Sequence, residues 1–198
     1  MPLTPATEAD IAEVSRQLGR PARDIRAIAA RCVCGKPTVV HTAPRLSDGT
    51  PFPTTYYLTH RGATAAVSTL EASGLMAELQ QRLADEPELA AAYQKAHEAF
   101  IADRDRTGAE LGLDVPEIAG ISAGGMPTRV KCLHALIGHA LAAGPGVNPI
   151  GDIEQKVFAH VRMGQGQGLN ASFSNLGYFA SAPNAVAFRA SGANPDDS

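Results

Sequence analysis

The chain has 198 residues, 44% of them hydrophobic and 19% charged, with 17 basic and 20 acidic side chains and a formal net charge of -3. That is enough apolar material for one globular core. It carries no basic excess to hold nucleic acid and no run of about 18 apolar residues to span a membrane. The first residues, MPLTPATEADIAEV, lack the basic and apolar regions of a secretion signal, so the expected location is the cytoplasm.

Residues 7–18 predict a helix: Ile11, Val14 and Leu18 fall at helical spacing and Gly19 stops it. Residues 22–31 are ambiguous, since Ile25, Ile28 and Ala29 fit a helix while Ile25, Ala27 and Ala29 fit a strand. The CVCGKP segment that follows reads as a turn. TVVHT at 38–42 and TTYYLT at 54–59 read as strands, separated by a Pro- and Gly-rich loop at 44–53. We favour an antiparallel meander of 25–31, 38–42 and 54–59.

Beyond Arg61 the pattern turns helical. Residues 62–72 form one helix, and Leu75, Met76, Leu79 and Leu83 stripe a second. Pro87 suits a first helical position and opens a long helix over about 88–106. Residues 107–126 loosen into ISAGGMP. A further helix is expected over about 127–142, then a Gly/Pro loop at 144–152 and a last short helix at 152–161. The fold class is therefore α+β, a small antiparallel sheet bearing a Cys-x-Cys knuckle and packed against about five helices. The segment 163–198 holds only three charges, Arg189, Asp196 and Asp197, and no periodicity. It reads as a disordered tail after a single domain at 1–162.

Four segments, RCVCGKPTVV, PRLSDGTPFPTTYYLTH, AAYQKAHEAF and GGMPTRVKCLHALIGHALAAGPGVNPIGD, together resemble the actinobacterial family known as domain of unknown function 501. The resemblance spans about residues 15–155. It implies no reaction. It implies a gene neighbourhood with a septum-formation initiator and an exopolyphosphatase, and relatives that carry Cys at the position of His60.

The three cysteines, Cys32, Cys34 and Cys132, carry the chemistry. An odd count without a secretion signal argues against a disulfide framework, and a Cys-x-Cys disulfide would close a tight, strained ring. Three free, partly buried thiols are the plain alternative. Zinc takes four Cys or His ligands in a tetrahedron, and Cys32-Val33-Cys34-Gly35 resembles a ligand knuckle. In the meander the third strand runs back toward that knuckle and ends at His60, whereas His41 lies near the opposite end. On a regular helix Cys132 and His134 would point about 160° apart, and Cys132 and His139 would be separated by about 10.5 Å of rise. A helix starting near residue 133 would instead free His134. The candidate ligands are Cys32, Cys34, His60 and Cys132, with His134 as substitute. The metal is zinc, or alternatively the iron of an iron–sulfur cluster.

Gly124 and Gly125 precede the expected helix at 127, which bears Arg129 and Lys131. These four residues form a candidate anion site, because N–H groups at a helix start hold anions. A flexible connection is the plain alternative. His97 and Glu98 lack the second His of a metalloprotease motif, and Asp103-Arg104-Asp105-Arg106 reads as a solvated helix end. No nucleotide-binding, kinase or hydrolase motif is present. Two functions follow: a metal-stabilised protein acting through a protein partner, or a metal-dependent enzyme acting on a small anionic substrate.

Overall fold

The structure, a computed structural model, describes residues 3–32 and 34–153. The expected disordered tail, and all of the expected last helix except residues 152 and 153, lie outside the described residues.

A short edge strand β1 (Thr4–Pro5) leads into helix α1 (Glu8–Leu18). Thr7 caps α1: its hydroxyl accepts the Asp10 N–H at 3.1 Å while the Asp10 carboxylate accepts the Thr7 N–H at 3.0 Å. This reciprocal pairing satisfies two of the donors that every helix start leaves open. Gly19, at φ 69°, ends the helix in the left-handed region that glycine tolerates best.

Strands β2 (Ile25–Arg31), β3 (Pro37–Thr42) and β4 (Tyr56–Leu58) follow. Residues 25–31 are thus a strand. The sheet order is β1-β2-β3-β4, all antiparallel, with Thr4 opposite Ile28, Ile28 opposite Val40, and Val39 opposite Leu58. Alternation sends Ile28 and Val40 to one face, where they pack on Val14 of α1. Val39 and Leu58 go to the other, where the remaining helices build the main core.

Those helices are α2 (Arg61–Ala72), α3 (Leu75–Asp85), α4 (Pro87–Leu111) and α5 (Leu133–Ala143), with a 3-10 turn at Pro116–Ile118. Leu133, Leu136 and Ile150 are fully buried in this core with Phe100 and Tyr93 of α4. Gly138 lets α5 lie directly on β4: a Cβ there would stand 3.0 Å from the Tyr56 carbonyl oxygen.

Two expectations need correction. The run 103–106 is not a solvated helix end, because α4 continues to Leu111 and Arg104 is only 2% exposed. Its guanidinium donates to the Ile121 carbonyl and to Asp105. The last long helix also starts at Leu133 rather than 127. Gly124 and Gly125 adopt φ 70° and 93°, and their carbonyls accept the N–H groups of Lys131 and Arg129 at 2.8 and 2.9 Å. Gln80 accepts the Val130 N–H, and the Tyr93 hydroxyl donates to the Arg129 carbonyl. The polar backbone here is satisfied by a turn and its neighbours, so no helix is needed to pair it.

Candidate functional site

The knuckle sits between β2 and β3. Gly35, at φ 84°, closes a turn by donating its N–H to the Cys32 carbonyl at 2.8 Å, and Cys32 donates to the Lys36 carbonyl at 2.9 Å. Arg31, the last residue of β2, grips Asp10 of α1 through both carboxylate oxygens at 2.6 and 2.8 Å and reaches the Gly35 carbonyl at 3.0 Å. This fork of charge-assisted bonds holds the Asp10 carboxyl far below its ordinary range. Gln17 adds a bond from α1 to the Pro37 carbonyl. The turn is therefore braced from outside by a helix.

Cys32 is 8% exposed, whereas Cys34 is exposed. Their sulfurs are bonded to each other, which corrects the expectation that these cysteines avoid a disulfide. The turn folds the two side chains back onto one side, and the Cys34 N–H also points at the Cys32 sulfur at 3.0 Å. His60 follows β4 and caps α2, its Nδ1 accepting the Ala63 N–H at 3.4 Å. Its ring lies over Gly62, where a Cβ would stand 3.3 Å from Cε1. One ligand atom from each of Cys32, Cys34 and His60 lies within 4.8 Å of the others.

A second group forms at the other end of α2. Glu71 lies in the last turn of that helix, and Cys132 is the residue from which α5 starts. Glu71 Oε1 accepts the Leu133 N–H at 2.9 Å, filling one open donor of α5, and faces His134 Nδ1 at 3.1 Å. His134 Nε2 faces the Thr64 carbonyl at 3.2 Å and the Ser68 hydroxyl at 3.4 Å. Ligand atoms of Glu71, Cys132 and His134 also lie within 4.8 Å of one another. The Cys132 partner, helped by Glu71 and opposed by burial, raises His134 to a pKa of about 9. In return the hydrogen bond with His134 lowers the Cys132 thiol against the opposing effect of burial.

The structure thus distributes the five candidate ligands over two groups rather than one. Cys32, Cys34 and His60 form one group at the start of α2, and Cys132 and His134 join Glu71 in another, with His134 lying along α2 from Thr64 to Glu71. Glu71 was missed by the sequence reading. It is one of 20 acidic residues, and nothing in its local pattern sets it apart. The four candidate anion-binding residues surround the turn at 124–131 instead of a helix start, and Arg129 and Lys131 are exposed there.

The other histidines among the described residues have packing partners. His41 Nε2 meets the Thr107 hydroxyl at 3.2 Å, and His97 Nδ1 meets the Ser122 hydroxyl at 2.8 Å. His139 is fully buried, stacked on Tyr56 and in contact with Asn148 through Nδ1 at 3.2 Å. Burial lowers its pKa to about 4.

Residues 28–156 match the family described as "Protein of unknown function (DUF501)". The match covers more than half of the chain, and the chain belongs to that family. No curated protein and no solved structure matches it. Among the described residues, no helix is long and apolar enough to cross a membrane.

Proposed function

We propose that this DUF501 protein binds zinc through Glu71, Cys132 and His134. The observation that carries the reading is the environment of His134. The Thr64 carbonyl can only accept, so the Nε2 that faces it at 3.2 Å carries the hydrogen. In neutral imidazole the lone pair then lies on Nδ1 and points at the Glu71 carboxylate oxygen at 3.1 Å. Two acceptors at that distance require a proton, which the raised pKa of His134 supplies in the free protein, or a metal cation that displaces it. A carbonyl that fixes the outer nitrogen of an imidazole is also the usual support of a metal-bound His.

Zinc suits this set of one thiolate, one imidazole and one carboxylate. An iron–sulfur cluster wants more thiolates around its irons, and Cys132 belongs to a different group from Cys32 and Cys34. Three protein ligands leave a fourth position open, which is the arrangement of zinc sites that take a water or a substrate rather than purely structural ones. This favours a reactive centre over a metal that only stabilises the fold.

The test is zinc content and affinity of the full chain, purified without chelator. The expected result is about one tightly held zinc per chain in the protein with the Cys32–Cys34 pair oxidised, and the same zinc retained at Glu71, Cys132 and His134 when the pair is reduced. Glu71→Gln keeps an acceptor for the Leu133 N–H but removes the charge, and should weaken zinc binding by at least about tenfold with little loss of stability. A zinc content below about a tenth per chain, with no uptake on titration, would overturn the reading.

A further inference from the structure

We infer that the Cys32–Cys34–His60 group is a second, separate zinc site that opens on reduction and closes on oxidation. Three observations converge on it. Its ligand atoms already lie within 4.8 Å of one another with the sulfurs bonded, so opening the disulfide is the only covalent change the site requires. The turn has supports other than the sulfur–sulfur bond: the Arg31–Asp10 fork, the Arg31 and Cys32 bonds to the Gly35 and Lys36 carbonyls, and Gln17 on the Pro37 carbonyl, none of which uses a cysteine sulfur. His60 is positioned independently, by the start of α2 and by the space that Gly62 leaves for its ring.

The chemistry has a direction. Cys34 is the exposed sulfur and Cys32 the covered one, 8% exposed. A small external thiolate attacks Sγ of Cys34, and the sulfur–sulfur bond breaks with its electron pair on Cys32. The Cys34 N–H, 3.0 Å from that sulfur, stabilises the departing thiolate, and a better-stabilised thiolate leaves faster. A second external thiol attacks the mixed disulfide and releases Cys34. The sum is protein disulfide plus two thiols giving protein dithiol plus one external disulfide. Zinc then replaces one proton on each thiol, and His60 supplies a nitrogen. Disulfide sulfur is not a thiolate and holds no zinc, so the oxidised protein is closed to the metal.

The site does not rest on the reading of Glu71, Cys132 and His134, and the two fail separately. The experiment compares the full chain oxidised with diamide against the same chain reduced with a phosphine, which is then removed anaerobically. Thiols are counted in both states, and Zn²⁺ is titrated against a chromophoric chelator. The expected result is about two more thiols and about one more bound zinc in the reduced protein. Cys34→Ser and His60→Ala should each abolish or strongly weaken the increment. Cys132→Ser should keep the increment while losing the zinc that binds in both states. Should a variant fold poorly, wild-type protein alkylated at Cys34 serves in its place and should likewise lack the increment.

Equal zinc binding by oxidised and reduced wild type, with the extra thiols present, would overturn the inference. So would an unchanged thiol count, or an increment that survives in Cys34→Ser. Absence of zinc from the oxidised wild type, with the increment intact, would sink only the Glu71 reading.

Discussion

The two ends of α2 carry the same kinds of side chain in different chemical states. At its start, two cysteines share one turn and are bonded to each other beside His60. At its end, a single cysteine meets His134 and Glu71, and the carboxylate is tied in turn to the first N–H of α5. At the first end the thiols are neighbours in the chain, so the local turn alone makes them meet, and their first partner is each other. At the second, the cysteine is unbonded and its partners come from both α2 and α5. That cysteine stays a thiol, and its pKa is set by a His partner and burial. A local cluster is therefore open to redox chemistry, while an assembled one depends on the packing that assembles it.

The largest effect expected from breaking this contrast comes from Gly138→Val. Its side chain would collide with the Tyr56 carbonyl, since even a Cβ would stand at 3.0 Å. Displacing α5 from β4 should lower stability by about 3 kcal/mol or more in urea unfolding. Zinc binding at the end of α2 should fall with it. Zinc uptake by the reduced knuckle should survive in whatever fraction remains folded.

Asp10→Asn attacks the other end. It removes one charge of the Asp10–Arg31 fork and weakens the cap of α1, so a loss of about 2 kcal/mol is expected. Amide exchange should speed up in α1 and at Gly35 before it does in α5. The same pair predicts acid behaviour. A carboxyl whose folded pKa is depressed binds its proton more readily in the unfolded chain. Its stabilisation is thus full above the unfolded value of about 4 and is lost as pH falls below it.

His139 should act at higher pH. Tyr56, Phe100 and Asn148 surround it, Asp103 is the charged group that acts on it, and its Nε2 has no hydrogen-bond partner among the described residues. Its folded pKa of about 4 lies below the ordinary 6.5, so the unfolded chain takes up the proton first and stability declines as pH falls from 6.5 toward 4. In His139→Gln the decline over that window should flatten, while the Asp10 loss at lower pH remains. An unchanged slope would mean that other groups dominate.

The smallest effect is expected at the 124–131 turn. Arg129 uses its backbone N–H for Gly125 and its carbonyl for Tyr93, and its side chain is exposed. Arg129→Ala should change stability by less than about 0.5 kcal/mol. Phosphate should then raise the thermal midpoints of wild type and variant equally. A larger rise for the wild type would reveal an anion held at that turn.

Elements set by neighbours in the chain were legible from the sequence. Spacing and a terminal glycine located α1, β-branched runs around turn residues located β3 and β4, and Pro87 opened α4. The pairing of Cys32 with Cys34 on one turn was equally local, although their oxidation was not anticipated. What escaped the sequence depends on distant contacts. Arg104 looks like any helix charge until the Ile121 carbonyl covers it, and residues 127–132 look helical until Gln80 and Tyr93 take up their backbone groups. Glu71 is marked by the Leu133 N–H and the His134 ring, 62 and 63 positions away. Periodicity and turn chemistry encode which residues can form an element. Only the packing of α2 against α5 decides which side chains share a point in space, because that depends on contacts whose sequence separation no local pattern records.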